Sequence, residues 1–466
     1  MNLSECLNTA DISTLRRIAE RYDFSCSKYS KMALIQEILF SFRNKEFLAE
    51  HIQEWREGRE RVMLRLCLDS RNVFSTEDLS GALSAAGCPE GTLDMALSEG
   101  WLYPTTRYAG RLMYCMPKEL QAALRRAMIA EFASRLETSE EGPLTYQEED
   151  YALSRDLDVF LEYVLHHDVR LTVDGSLYKR NLTQILELLE VPEEPLQGGW
   201  RFGYGRRFHD YPDRFALLYD YAYHNRLIDE LEEGTLVVTP EADRWRNMSR
   251  TERQRALVRF YITLYRRPIT RLPQIVQLVA HVSTAWVRSD VMLSALDAFV
   301  NDYYYDSKEQ VWSTRILKML THLGVIRLGK DEHSVEWFQI TKLGQQLLTP
   351  EALPEAEDGD TDRRRILIVQ PNFEIVATAD QPFVTSELAL FTELRQTGAV
   401  RVYRITEERV QKGLMAGRSV MAWLDFVQNH AQTPVPGNVE RTLQEWERQH
   451  TAASDIQHQD GPAAGS

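Results

Sequence analysis

Cysteine is scarce in this 466-residue chain: five residues, Cys6, Cys26, Cys67, Cys88 and Cys115, all early and none in a Cys-x-x-Cys pair. Such a set excludes a disulfide framework or a zinc ribbon as organising device and predicts free, buried thiols. No apolar run reaches the roughly 18 residues of a membrane span, and "MNLSECLNTADISTLRR" has no basic start followed by an apolar core. The expectation is a cytoplasmic protein with no membrane contact. Net positive charge is missing as well. At −15 the chain repels phosphate backbones on average, so any nucleic-acid contact has to be a local basic patch.

Catalytic signatures are equally absent. A P-loop needs Gly-x-x-x-x-Gly-Lys-Ser/Thr to cradle phosphates and hold Mg²⁺; the nearest fragment, "GVIRLGK" at 324–330, is followed by Asp331. Neither Gly-x-Ser-x-Gly nor His-Glu-x-x-His occurs. His166, His167 and Asp168 are adjacent, but neighbours on a helix point about 100° apart, which suits a helix end better than one metal. The chain is expected to be no enzyme and to need no cofactor and no metal.

What is present is globular material, 44% hydrophobic and 26% charged, enough for roughly three or four domains. Two short helices open it: Ile12, Leu15, Ile18 and Tyr22, then Met32, Ile35, Leu39 and Phe42, fall at helical spacing. The shape resembles a SAP-like helix-extended-helix module over 1–48, and a helical hairpin docked on the next domain fits equally. Helical patterns at 61–70, 75–86 and 90–99 precede "WLYPTTRYAGRLMYCMP", which reads as a hairpin turning near Ala109 and Gly110. Three helices and a hairpin make a winged helix, placed over 49–145. Its third helix carries Glu90, Asp94 and Glu99 and no base, which suits protein docking or spacing over reading of DNA.

The same grammar returns at 226–245 and 323–348, each a strand, turn and strand followed by Thr-x-x-Ala or Thr-x-x-Gly into a helix. These define winged-helix-like modules over 146–250 and 251–349. In the second, "EQVWSTRILKMLTHLG" bears Arg315, Lys318 and His322, a recognition-helix candidate or an ordinary solvated face. Earlier, Lys179 and Arg180 open a helix. Arg201, Arg206, Arg207 and Arg214 then interleave with Trp200, Phe202, Tyr204, Phe208 and Tyr211. Guanidinium groups beside rings suit phosphates and stacked bases; the same loop could instead pack, its arginines paired with Asp210 and Asp213. "GYG" at 203–205 is no dinucleotide fingerprint, because Phe208 stands where the third glycine belongs.

The stretch 350–364 is an acidic linker, and 451–466 a small, polar tail expected to be disordered. Between them, 365–450 begins with the strand "ILIVQPNFEIVA", continues with the helix "SELALFTELRQTG" and the strand "VRVYRIT", and closes with helices. Val369-Gln370-Pro371-Asn372-Phe373, Tyr403-Arg404-Ile405-Thr406, Gly413, Gly417, Pro434-x-Pro436-x-Asn438-Val439 and Trp446 follow in order. This string resembles the helicase-associated domain at the N-terminus of XPB-type helicases, which many bacterial proteins carry without a motor. Asn372 departs from the acid usual after the proline, and Glu407-Glu408 from Pro-Glu-Ser. The recurring patterns predict a mainly α fold of tandem winged helices with small β wings, followed by a C-terminal α+β domain. The resemblance implies a DNA-binding or adaptor protein of DNA repair or transcription-coupled processes, with single-stranded or forked DNA and a helicase or repair protein as partners. The alternative is a scaffold that docks such a protein without touching DNA.

Overall fold

A computed structural model of the protein describes residues 1–53, 57–69, 71–88, 91–105, 112–195, 211–297, 299–303, 306–348, 365–379, 381–397, 400–415 and 418–459. It is mainly helical with small antiparallel sheets, as expected. The chain divides into two compact units. One comprises Met1–Tyr146, Ile269–Thr314 and Leu328–Ile340, the other Gln147–Pro268, Arg315–Arg327 and Thr341–Ser466.

The first unit opens with the helices Leu3–Thr9, Ile12–Arg21 and Lys31–Arg43, started by Asn2, Asp11 and Ser30, whose side chains accept the N–H groups a helix leaves unsatisfied. The third helix buries Leu34, Ile35, Ile38 and Phe42, while Met32 faces out; the buried stripe is rotated from the expected one, on a helix that packs against the two before it. Phe42 stacks on Trp101 with ring centroids 5.2 Å apart. Gly100 (φ +75°) fits beneath, where a Cβ would meet Ile18, Tyr103 and Phe42.

Next come the helix Glu57–Leu68, strand Val73–Ser75, helices Thr76–Ala85 and Thr92–Ser98, and strands Tyr103–Thr105 and Met113–Cys115. Met113–Cys115 lies between the other two strands, with Phe74 opposite Tyr114. The hairpin turn expected at Ala109 and Gly110 lies outside the described residues, as does Glu90. Glu99, one of the three acids on the helix assigned to protein docking or spacing, is buried and cannot meet a partner. Its carboxylate accepts from the Trp101 indole at 2.8 Å and pairs with Arg21 and Arg59, which a carboxylate taken out of water requires. Later in the unit, Trp286–Arg288 pairs antiparallel with Thr138–Ser139 and Glu336–Ile340.

In the second unit the helix Ala152–His166 is buried on several sides. It packs against Lys179–Leu188, Asp213–His224, Arg250–Tyr265 and the hairpin Ile228–Glu230/Thr235–Val238. The Thr-x-x-Gly signal is a tight junction: the Thr341 hydroxyl accepts from Gly344 N–H at 2.8 Å and donates to Gly324 O at 2.6 Å. A Cβ on Gly344 would lie 2.0 Å from Val325 O, so only glycine fits.

The C-terminal part carries a four-stranded antiparallel sheet in the order Leu367–Val369, Glu374–Ala377, Arg401–Ile405, Thr392–Gln396, followed by the helices Glu407–Met415, Val420–His430 and Gly437–Gln459. Two expectations are corrected. The segment 366–377 is a hairpin rather than one strand, reversed at Gln370–Phe373 by a turn with Phe373 at φ +67°. The helix expected over 386–398 ends at Ala389. Thr392–Gln396 leaves it as an edge strand because Leu394 can pair opposite Tyr403. The last helix runs to Gln459, past the point where the polar tail was expected to begin. The segment 350–364 lies among residues that are not described.

Candidate nucleic-acid interface

Lys179 and Arg180 sit in the first turn of Lys179–Leu188, whose apolar face, Leu182, Ile185 and Leu186, is buried. That amphipathic division puts both cations on the outside beside the exposed ring of Tyr178, and neither has an ion-pair partner among the described residues. Arg201, Tyr204, Arg206, Arg207 and Phe208, with Trp200, Phe202 and Asp210, lie outside the described residues.

The chain on both sides of that loop is held by buried charge. Asp156, on Ala152–His166, accepts the Glu190 N–H at 2.7 Å, and the Glu193 carboxylate accepts the N–H groups of Arg214 and Phe215 at 3.1 and 2.8 Å. Glu193 thereby caps Asp213–His224, the helix that follows the loop. The Tyr211 hydroxyl accepts the Leu177 N–H at 2.9 Å. Arg214, counted in the sequence among the loop's contact arginines, is fully buried. Its Nη1 lies 2.6 Å from Asp156 and its Nε 3.3 Å from Glu149. Glu149 in turn lies 2.8 Å from Nδ1 of the buried His322.

Electrostatics in this cluster follow from burial set against pairing. Burial alone would raise the Glu149 carboxyl, but His322 and Arg214 overcome it and hold the group below the usual carboxylate range. For Asp156 and Glu193 burial prevails over the same arginine, and both carboxyls are pushed up. Burial works against the Arg214 charge, yet Asp156, Glu149 and Glu193 outweigh it and raise its pKa. These groups are spent on one another.

Arg315 is likewise corrected from a surface candidate to an inward one. Its Nη1 donates to both carboxylate oxygens of Asp213 at 2.9 Å, and its backbone carbonyl accepts from the Tyr261 hydroxyl at 2.6 Å. With His322 also buried, Lys318 alone of the three basic positions faces solvent. The helix widens to π-helical turns over Val311–Leu317, which breaks the 3.6-residue spacing that aligned the three in sequence. The P-loop-like fragment at 324–330 runs into the strand Ile326–Lys330, where no glycine loop opens onto a helix N-terminus.

The C-terminal motif positions converge on one corner. Asn372 donates to Glu374 at 2.9 Å, Asn438 donates to Pro371 O at 2.8 Å, and Trp446 packs on Phe373 with ring centroids 6.1 Å apart. Gln370 closes the turn by backbone bonds to Phe373 and Glu374. Tyr403 is buried opposite Ile375, Arg404 is exposed opposite Glu374, and Thr406 accepts from Arg409 N–H as Glu407–Met415 begins. Gly413 sits against Phe391, where a Cβ would come 2.9 Å from Leu390 O; Gly417 lies outside the described residues.

Residues 367–460 match the family described as the helicase conserved C-terminal domain. This match covers the four-stranded sheet and its helices and ties that part of the chain to helicases. No curated protein matches the chain. Among the described residues no group of three or more His, Cys, Asp or Glu is placed to hold a metal ion, and no helix is long and apolar enough to cross a membrane.

Sequence reasoning passed over Glu149, Asp156, Glu193 and Asp158. Asp158 accepts a bidentate bond from buried Arg253 and the Trp245 indole N–H at 2.8 Å. The one available signal was an acid on an otherwise apolar helix face, as at Asp156 within "ALSRDLDVFLEYV".

Proposed function

We propose that the chain is a non-enzymatic, helicase-associated adaptor that binds single-stranded or forked DNA and serves a helicase or repair protein, in DNA repair or transcription-coupled processes. The observation that carries this reading is the helicase C-terminal domain match over residues 367–460 in a chain without a P-loop. The ordered motif string supports a kinship with XPB-type N-terminal domains carried by bacterial cytoplasmic proteins. We read the order helix, strand, helix, helix, strand, strand over 57–115 as a winged helix, and the hairpins at 228–238 and 326–340 as wings of further copies. Lys179, Arg180 and Lys318, exposed on an acidic chain, join Arg201, Tyr204, Arg206, Arg207 and Phe208 as the contact surface, with cations for phosphates and rings for bases.

The test is fluorescence anisotropy of labelled single-stranded and forked oligonucleotides against the full chain. Binding is expected to weaken steeply with salt. In Lys179→Ala/Arg180→Ala and in Arg206→Ala/Arg207→Ala the slope should flatten by about one for each phosphate left without its cation. A folded protein that binds neither oligonucleotide at low salt overturns the DNA reading. The net charge of −15 and the inward Arg315 favour, in that event, a scaffold that docks its partner through protein surfaces alone.

A further inference from the structure

Two of the five thiols meet. Cys6, on Leu3–Thr9, and Cys115, closing Met113–Cys115, are 109 positions apart in sequence, and their Sγ atoms lie 4.0 Å from each other within the first unit. They are 1% and 0% exposed. Cys67 is buried without such a neighbour, and Cys26 and Cys88 are half-buried.

Both partners are held from several sides. The helix bearing Cys6 is started by a reciprocal Asn2–Glu5 cap, and it is fastened to the helix Lys118–Ala133 by Leu3 N–H donating to the Glu119 carboxylate at 3.1 Å. Cys115 lies on the middle strand of its sheet, opposite Val73 on one side and Tyr103 on the other, and the Asn72 amide donates to its sulfur at 3.7 Å. The Cys6 thiol donates to the Cys115 sulfur, and that hydrogen bond holds the Cys115 thiol below its ordinary pKa while raising that of Cys6. The geometry therefore supplies two sulfurs within reach of each other, Cys115 the more readily deprotonated of the two, the arrangement of an attacking and a resolving cysteine.

We propose that Cys6 and Cys115 form a reversible intramolecular disulfide, made by exchange with a low-molecular-weight disulfide such as oxidised glutathione. The Cys115 thiolate attacks one glutathione sulfur; that S–S bond breaks and one glutathione thiolate leaves with the electron pair. Cys6, giving up its proton, then attacks Cys115 Sγ in the mixed disulfide and expels the second glutathione thiolate. Two protein thiols are oxidised, one small disulfide is reduced, and the two protons end on the two glutathione thiols. Closing the gap from 4.0 Å to a bond of about 2.05 Å takes side-chain rotation and a small shift of a seven-residue helix. Since the sulfurs are buried, exchange proceeds when that helix lifts locally. The bond would lock the N-terminal helix to the three-stranded sheet across a loop of more than a hundred residues.

The experiment uses the full chain. Accessible Cys26 and Cys88 are blocked with iodoacetamide under native conditions, and the protein is equilibrated with glutathione mixtures from reducing to oxidising. It is then acid-quenched, digested without reductant and mapped by mass spectrometry. Expected are a Cys6–Cys115 cross-linked peptide that dithiothreitol reverses and a thermal midpoint several degrees higher in the oxidised protein. Cys115→Ser should leave Cys6 with at most a glutathione adduct and no rise in midpoint. Folded protein in which both thiols stay free at the most oxidising mixture, or in which the cross-link joins another pair, overturns the proposal. Should Cys115→Ser fail to fold, the peptide map of the unmutated chain decides by itself.

Discussion

Arg315 and Asp213, 102 residues apart in sequence, are joined by two hydrogen bonds of 2.9 Å from one guanidinium nitrogen to both carboxylate oxygens. The pair ties the helix that follows the aromatic, arginine-rich loop to the chain around 315. Two residues that sequence reading assigned to nucleic acid and to the loop's own arginines are thus each other's partner. Their side chains are 10% and 19% exposed, so removing one leaves a mostly buried charge. Arg315→Ala is expected to lose roughly 3 kcal/mol of stability in urea unfolding. The affinity of the folded fraction for DNA should not change, and a selective loss of affinity would show that Arg315 does leave Asp213 to meet a phosphate.

Arg214 answers to Glu149 and Asp156 together, and all three side chains are at most 3% exposed. Arg214→Met keeps the side-chain volume but leaves Asp156 without its cation and Glu149 with His322 alone. We expect a cost of roughly 3–5 kcal/mol, read from the denaturant midpoint. Arg214→Met combined with Asp156→Leu should recover part of it, because the second change removes the orphaned charge.

Glu162, facing Arg401, Asp158, Arg246 and Arg409, is pushed by burial from its ordinary 4.5 up to about 7. A raised carboxyl pKa means that the folded state holds its proton longer than the unfolded one. Its stabilising contribution is therefore full below about 4.5 and disappears as pH rises through about 7. His166 on the same helix works in the opposite sense. Burial lowers it from 6.5 to about 3, so stability present above 6.5 is lost as pH falls towards 3. Glu162→Gln should abolish the fall between pH 4.5 and 7 and leave the acid-side loss in place, as read from thermal midpoints across that range. Unchanged profiles in the variant would contradict the assignment.

Two glycines in short helices should respond in opposite directions to alanine. Gly81, in Thr76–Ala85, is exposed and has open space where a Cβ would go, so Gly81→Ala is expected to add about 0.5–1 kcal/mol. Gly344→Ala drives a methyl into the Val325 carbonyl and is expected to cost roughly 1–3 kcal/mol. Thermal unfolding of the two variants side by side is sufficient to check the signs.

By itself the sequence determined the mainly helical class, the strand–turn–strand recurrences, the C-terminal strand at 401–405 and a helicase-related character for the segment that contains it. These depend on local patterns: apolar spacing, caps such as Ser75 with Asp78, and the glycine required after Thr341. Local patterns also misplaced two elements, since a turn through Phe373 at positive φ and an edge strand at Thr392–Gln396 exist only because a partner strand is there to pair with. Charge was the least legible property. In one dimension Arg214, Arg315 and His322 are basic residue types in a basic neighbourhood. In the folded chain each finds an acid 65 to 173 residues away and is removed from the surface, whereas Lys179, Arg180 and Lys318 are not. Whether a charge meets solvent or a buried partner depends on the desolvation cost that the partner must offset. That balance is settled only when distant segments pack, and here the tertiary structure alone decided it.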